Sequence, residues 1–170
     1  MIKKIKQNIS SFEFSQFGSL VYLIKLKNKN IIIDTGSKAN RKELIEDLEK
    51  LNLVPENIDI LILTHNHFDH VGNISLFTNA KIFASKLEFS DEKIIPIDEL
   101  KIPEFKIIKT PGHTKGSFCI LYDDVLFSGD TIFHNGGIGR MDLEGGSEVD
   151  MKKSLEVLSK VKYKILCPGH

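Results

Sequence analysis

Two β-sheets with helices on their outer faces form the fold class this sequence predicts, an α/β (α+β) layered arrangement. Three observations predict it. Short apolar runs of strand length recur in both halves of the chain, and two pairs of them are separated only by turn residues. Segments 39–52 and 148–161 carry apolar residues at helical spacing, with charge on the remaining face. Strands paired in each half and followed by helices stack as two sheets with the helices outside. No repeat, linker or low-complexity tract interrupts the pattern, and a length of 170 residues suits one domain with a full core, so a single domain over 1–170 is expected.

Taken in order, residues 2–9 read as a lead-in strand. Runs 20–26 and 31–34 read as strands joined by the Lys27-Asn28-Lys29-Asn30 hairpin, and Thr35-Gly36-Ser37 ends the second. Leu44, Ile45, Leu48 and Leu51 give 39–52 its helical stripe, and Pro55 follows as a stop. Ile58-Asp59-Ile60-Leu61-Ile62-Leu63 reads as a buried strand. A short helix over 71–77 and strands over 81–84, 93–97 and 106–109 come next. The strands 117–122 and 125–128 flank the Asp123-Asp124 turn. The glycine-rich stretch 131–147 reads as a loop, 148–161 as the last helix through Val149, Leu155, Leu158 and Val161, and 164–167 as the last strand.

Composition narrows the function classes. Lys plus Arg and Asp plus Glu are 23 each, so the net charge is zero and no basic nucleic-acid footprint is expected. The charged amino terminus has no apolar stretch behind it, so no signal peptide is expected, and no run has the length to span a bilayer. Cys119 and Cys167 lie in apolar strand-like segments and read as buried free thiols, for which a cytoplasmic location is the expectation.

The chemistry gathers at Thr64-His65-Asn66-His67-Phe68-Asp69-His70, in the loop that leaves the 58–63 strand. Three imidazoles and a carboxylate so closely spaced have no packing use, and their N and O donors suit zinc or iron. Other strand ends offer Asp34, His113, Asp130 and His170; of the six histidines, only His134 lies elsewhere, in the glycine-rich loop. No Gly-x-Ser-x-Gly occurs, so a serine nucleophile has no support.

The run His65-x-His67-x-Asp69-His70, with Pro-Gly-His113-Thr, Ser-Gly-Asp130-Thr and Pro-Gly-His170, resembles the metallo-β-lactamase-fold hydrolases over nearly the whole chain. Asp34 in Ile-Asp-Thr-Gly and Asp59 before the apolar run match as well. Gly-Asp130-Thr-Ile-Phe and Gly137-Ile138-Gly139-Arg140-Met141-Asp142 look like the hydroxyacylglutathione hydrolase (glyoxalase II)-like branch.

The resemblance implies a four-layer αββα sandwich with two divalent metals at one edge, zinc first, with iron or manganese open. It places His65, His67 and His113 on one metal, Asp69, His70 and His170 on the other, and Asp130 between them. Asp34 is expected to brace the active-site loops and Asp59 to help hold the metal loop. A metal-bridging hydroxide would attack a thioester or related acyl group of a small-molecule substrate, with Asp69 orienting it. The alternative is a mononuclear iron persulfide dioxygenase using His65, His113 and Asp130, and a lactonase, a phosphodiesterase or nuclease and a non-catalytic metal-binding module rank below. Arg140 and His134 are candidate substrate contacts, although Asp142 stands where the glutathione hydrolases carry Tyr and could pair with Arg140. The sequence ends at His170, where those enzymes continue into a helical lid, so no lid domain is expected, and glutathione use is left open.

Overall fold

The computed structural model describes all 170 residues. Eleven strands form two sheets. In the first, strands β1 (Ile2–Lys6), β2 (Ile9–Phe12), β3 (Val21–Leu26), β4 (Lys29–Ile33), β5 (Ile60–Leu63), β6 (Lys81–Ala84) and β7 (Ile94–Pro96) lie in sequence order. Neighbours are antiparallel up to β4 and parallel from β4 to β7. The second sheet has the order β11 (Ile165–Pro168), β10 (Val125–Gly129), β9 (Phe118–Tyr122) and β8 (Phe105–Lys109), with β10 and β11 parallel and the other pairs antiparallel.

Strands β4 and β5 read as unbroken apolar runs because both faces of the first sheet are covered. Ile31, Ile33, Ile60 and Ile62 point between the sheets, where they pack with Phe118, Ile120, Val125 and Phe127 of the second. Ile32 and Leu61 point the other way, onto Leu44 and Leu48 of helix α1 (Arg41–Lys50). Across the second sheet, Cys119 and Leu126 face Leu158 of the last helix, α3 (Glu148–Leu158), whose first turn is capped by the Ser147 hydroxyl accepting from Asp150 N. Helix, sheet, sheet and helix therefore stack in four layers, as expected. Leu44 and Leu48 have no exposed surface, so truncating either to Ala would cost about 2–5 kcal/mol.

This topology positions the site. Strands β4 and β5 run parallel in one sheet, and β8, β10 and β11 run in a common direction in the other. The residues that follow these five strands are Asp34, Thr64–His70, His113, Asp130 and the Gly169-His170 pair.

Two expectations need correction. Residues 2–9 are not one strand: β1 folds back as β2 through Gln7 and Asn8, a turn without Gly or Pro to betray it, pinned by Asn8 Nδ2 donating to Tyr122 Oη (2.9 Å). The short helix is not at 71–77. One turn of helix, α2 (Phe68–Val71), begins inside the histidine cluster, followed by a 3-10 turn at Ile74–Leu76. It stops because Gly72 lies against backbone, where a Cβ would stand 2.4 Å from Lys38 N, and because Asn73 spends its side-chain amide on the carbonyls of Thr35 (2.8 Å) and Ser37 (2.7 Å). The 131–147 loop is irregular as expected, apart from a turn at His134–Gly136 and a single bridge between Ile132 and Ile138. No helix is long and apolar enough to cross a membrane, and both cysteines are free and buried.

Candidate metal centre

Asp34 organises the first wall of the site. It ends β4 with φ +58°, a left-handed conformation uncommon for a residue with a side chain. Its buried carboxylate accepts from Thr64 N (2.8 Å), Thr64 Oγ1 (2.8 Å) and His70 Nδ1 (2.8 Å). The loop leaving β5 is thus tied to β4 at its start and at its one helical turn. Thr35 Oγ1 donates to the carbonyl of His70 (2.8 Å), which fixes the backbone as well. With Nδ1–H committed to Asp34, His70 aims Nε2 into the centre.

The second sheet supplies the other wall. His113 donates from Nδ1 to the carbonyl of Arg140 (2.7 Å), leaving its Nε2 directed inward. Two glycines make room. A Cβ on Gly139 would stand 1.9 Å from the Asp130 carbonyl oxygen, and one on Gly169 would stand 2.0 Å from Asp130 Oδ1. Tyr22, reaching across from β3, donates to the carbonyl of Pro168 (2.7 Å) and anchors the turn that carries His170.

Seven side chains meet between these walls. The donor atoms form three overlapping triplets, His65–His67–His113, His65–His70–Asp130 and Asp69–His70–His170, each with its atoms within 4.8 Å of one another. Asp130 lies in the middle: Oδ1 is 3.2 Å from His70 Nε2, and Oδ2 is 3.5 Å from His113 Nε2 and 3.6 Å from His170 Nε2. His170 Nε2 also lies 3.2 Å from Asp69 Oδ2.

The electrostatics fit a cation. Burial, followed by the neighbouring imidazoles His70 and His113, pushes His65 well below the ordinary histidine range, so its ring is neutral. Burial also opposes charge on His70, but the carboxylates of Asp34 and Asp130 outweigh it and raise this group to about 10. Burial works against the Asp69 and Asp130 carboxylates, yet the surrounding histidines hold both below the usual range. His65 Nε2 is nevertheless buried without a hydrogen-bond partner, and His70 Nε2 and Asp130 Oδ1, buried 3.2 Å apart, attract each other without reaching hydrogen-bond geometry. Buried polar atoms left unpaired are costly, and a divalent cation bound by N and O donors would satisfy all three.

The remaining candidates lie outside this cluster. Asp59 is corrected: it sits at the opposite end of β5, where its carboxylate accepts from Asn30 N (2.7 Å) and locks the start of the strand pairing. Its match to a motif flanking the cluster concealed that the strand's length separates the two. Arg140 forms a two-bond pair with Asp142 (2.7 and 2.5 Å), both side chains largely exposed. His134 is exposed and shares with His170 the wall of a groove of about 970 Å³ that runs along β1–β3 and β11. Sequence reasoning missed Glu88, whose carboxylate reaches the histidine loop, and Phe17, which stacks on His170 (ring centroids 5.4 Å, 14° between planes). Neither belongs to a motif, and an isolated Glu or Phe carries no signal of its own.

Comparison with known proteins places the chain in a family. The metallo-β-lactamase superfamily model matches residues 15–94 and 89–170. The chain belongs to that superfamily. Within it, a probable metallo-hydrolase of Methanocaldococcus jannaschii is 39% identical, over 82% of this chain and 70% of its own. Hydroxyacylglutathione hydrolase 1 of Vibrio vulnificus is 33% identical over 89% of this chain, which spans 61% of that enzyme's length. The fold is shared with TTHA1623, solved in a di-iron-bound form, at a TM-score of 0.79 and 22% identity, covering 94% of this chain and 91% of the other.

Proposed function

We propose that this member of the superfamily is a metal-dependent hydrolase of acyl substrates, thioesters foremost, that works with two divalent cations. The observation that carries the reading is the pair of donor triplets on either side of Asp130, each with a histidine or carboxylate atom left unsatisfied. His65, His67 and His113 would hold one cation and Asp69, His70 and His170 the other, with Asp130 contributing to both. Zinc suits these donors, and iron or manganese is the alternative. When bound, two cations supply concentrated positive charge that makes a shared water acidic and polarises a carbonyl.

The chain's own groups do the rest. Asp69 is buried beside the part-exposed His170, and its carboxylate can orient the attacking water and take its proton. Asp34 holds His70 in the tautomer that leaves Nε2 free. No side chain placed to protonate a leaving group is needed for a thioester, because a thiolate departs with a pKa near 8.5.

The rim offers aromatic surface to an apolar acyl group. Phe17 and Phe68 are 68% and 70% exposed, 6.3 Å apart, and Phe133 stands 6.1 Å from the His170 ring. Arg140 is already paired with Asp142 and is not free to hold a carboxylate. Glutathione recognition by relatives named for it belongs to enzymes of which this chain spans about three fifths. The iron dioxygenase reading uses only His65, His113 and Asp130 and gives no metal-binding role to His67, Asp69, His70 and His170.

The test is metal analysis of the purified protein joined to a panel of thioester, lactone and phosphodiester substrates. Two metals per chain with preferential thioester hydrolysis is the expected result. One iron per chain with oxygen uptake on a persulfide would replace this reading with the dioxygenase.

A further inference from the structure

We propose that Glu88 is a positioning residue that sets the distance between the His65–His67 loop and the His113 loop. After β6 the chain turns at Ser85–Glu88, closed by Glu88 N donating to the carbonyl of Ser85 (3.0 Å). The turn presents Glu88 to both loops. Glu88 Oε1 accepts from Gly116 N (2.6 Å), Oε2 accepts from Asn66 N (3.2 Å), and the Glu88 carbonyl accepts from Asn66 Nδ2 (3.1 Å). Asn66 stands between His65 and His67, and Gly116 follows His113 by three residues.

Nothing else on the backbone does this work. No backbone hydrogen bond joins 64–67 to 113–116. Apart from Glu88, the polar contact between the two loops is the facing pair His67 Nδ1 and His113 Nε2, 2.9 Å apart. His67 and His113 belong to the triplet in which two residues come from one loop and one from the other. Their separation therefore follows the distance that Glu88 imposes.

The chemistry asks for a carboxylate. Both partners are N–H donors, and only an ionised acid offers an acceptor to each; Gln would turn a donor toward one of them. Room has been cleared for it. A Cβ on Gly116 would stand 2.5 Å from Glu88 Cγ and 2.7 Å from Ser85 Oγ. Asp34 braces His70 and, through Thr64, the start of the histidine loop, whereas Glu88 ties Asn66 to the His113 loop, so its loss bears first on the His65–His67–His113 triplet.

The inference rests on the proposed metal centre, and the experiment separates the two. Wild type, Glu88→Gln and Gly116→Ala are stripped with chelator and titrated with zinc against a chromophoric competitor, then with cobalt for its visible spectrum. Urea midpoints are measured on the metal-free proteins. Glu88→Gln is expected to weaken one of the two metals about 10- to 100-fold, leave the other within threefold, and alter the cobalt spectrum of the weakened site. Gly116→Ala, which displaces the carboxylate without changing it, reproduces the effect. Wild-type affinities and spectrum in both variants overturn the inference while leaving the centre intact. Parallel weakening of both metals, tracking a lowered urea midpoint, overturns it too, because that is the signature of general structural damage. A wild-type protein that binds no metal overturns the centre and this inference together.

Discussion

Replacing Asp34 with Asn is the most informative single perturbation of the site. The residue sits at φ +58°, which Asn adopts almost as readily as Asp, so the backbone is not the variable. The Asn carbonyl oxygen can keep the 2.8 Å bond from Thr64 N. Thr64 Oγ1 can rotate its proton and accept from the new amide. His70 has no such freedom: its Nδ1–H, now 2.8 Å from a carboxylate oxygen, would face another N–H. Relief comes from moving the ring proton to Nε2, the atom needed at the centre. A buried hydrogen bond to a charged group is worth about 1.5–3 kcal/mol, which corresponds to roughly 10- to 150-fold in affinity. The account therefore predicts a loss of that order for the metal held by Asp69, His70 and His170. Affinity at the His65–His67–His113 triplet should fall less, because Thr64 Oγ1, which also meets His65 Nδ1 (3.0 Å), can still accept from that ring. Competition titration with a chromophoric chelator reads both constants. Unchanged affinity for both metals would refute the argument that Asp34 sets the His70 tautomer.

Four further outcomes follow from the same geometry. Gly169→Ala should bind at least one metal fewer while retaining native circular dichroism, because its Cβ would fall 2.0 Å from Asp130 Oδ1 and 2.8 Å from His70 Cε1; full metal content would contradict this. In the metal-free protein, His70 is raised from 6.5 to about 10, so the stability it contributes is complete below pH 6.5 and lost as pH rises through about 10. Urea midpoints in chelator should fall over that window in wild type and less in Asp34→Asn. Phe17→Ala should raise KM for thioesters with apolar acyl chains by about three- to tenfold with little change in kcat, given the area one phenyl ring can cover; an equal effect on small polar acyl groups would count against the apolar rim. Asp142→Ala frees the Arg140 guanidinium and should lower KM for substrates bearing a carboxylate, measured against the uncharged ester.

Much of this was legible in the residues because strand ends and chemistry coincide. An apolar run such as Ile60–Leu63 declares its burial, and the histidines that follow it have no packing use, so the cluster and its location could be read together. His113, Asp130 and His170 were legible in the same way, each following a strand. What could not be read are the contacts that cross between elements. Nothing local distinguishes Glu88 from any exposed Glu until β6 has been laid beside β5 and its turn brought against Asn66. Asp59 shows the opposite error, in which nearness in sequence to the cluster hid a full strand of distance in space. The β1–β2 turn was missed because Asn8 is its one turn-forming residue, with no Gly or Pro beside it, and a contact as distant in sequence as Tyr122 pins it.

Metal stoichiometry tests the central claim most directly. Chelator-stripped protein, reloaded and desalted, is predicted to retain two divalent ions per chain by elemental analysis, and Asp130→Ala at most one, with thioester turnover abolished. Full turnover in Asp130→Ala, or in stripped wild type with no ion bound, would contradict the account.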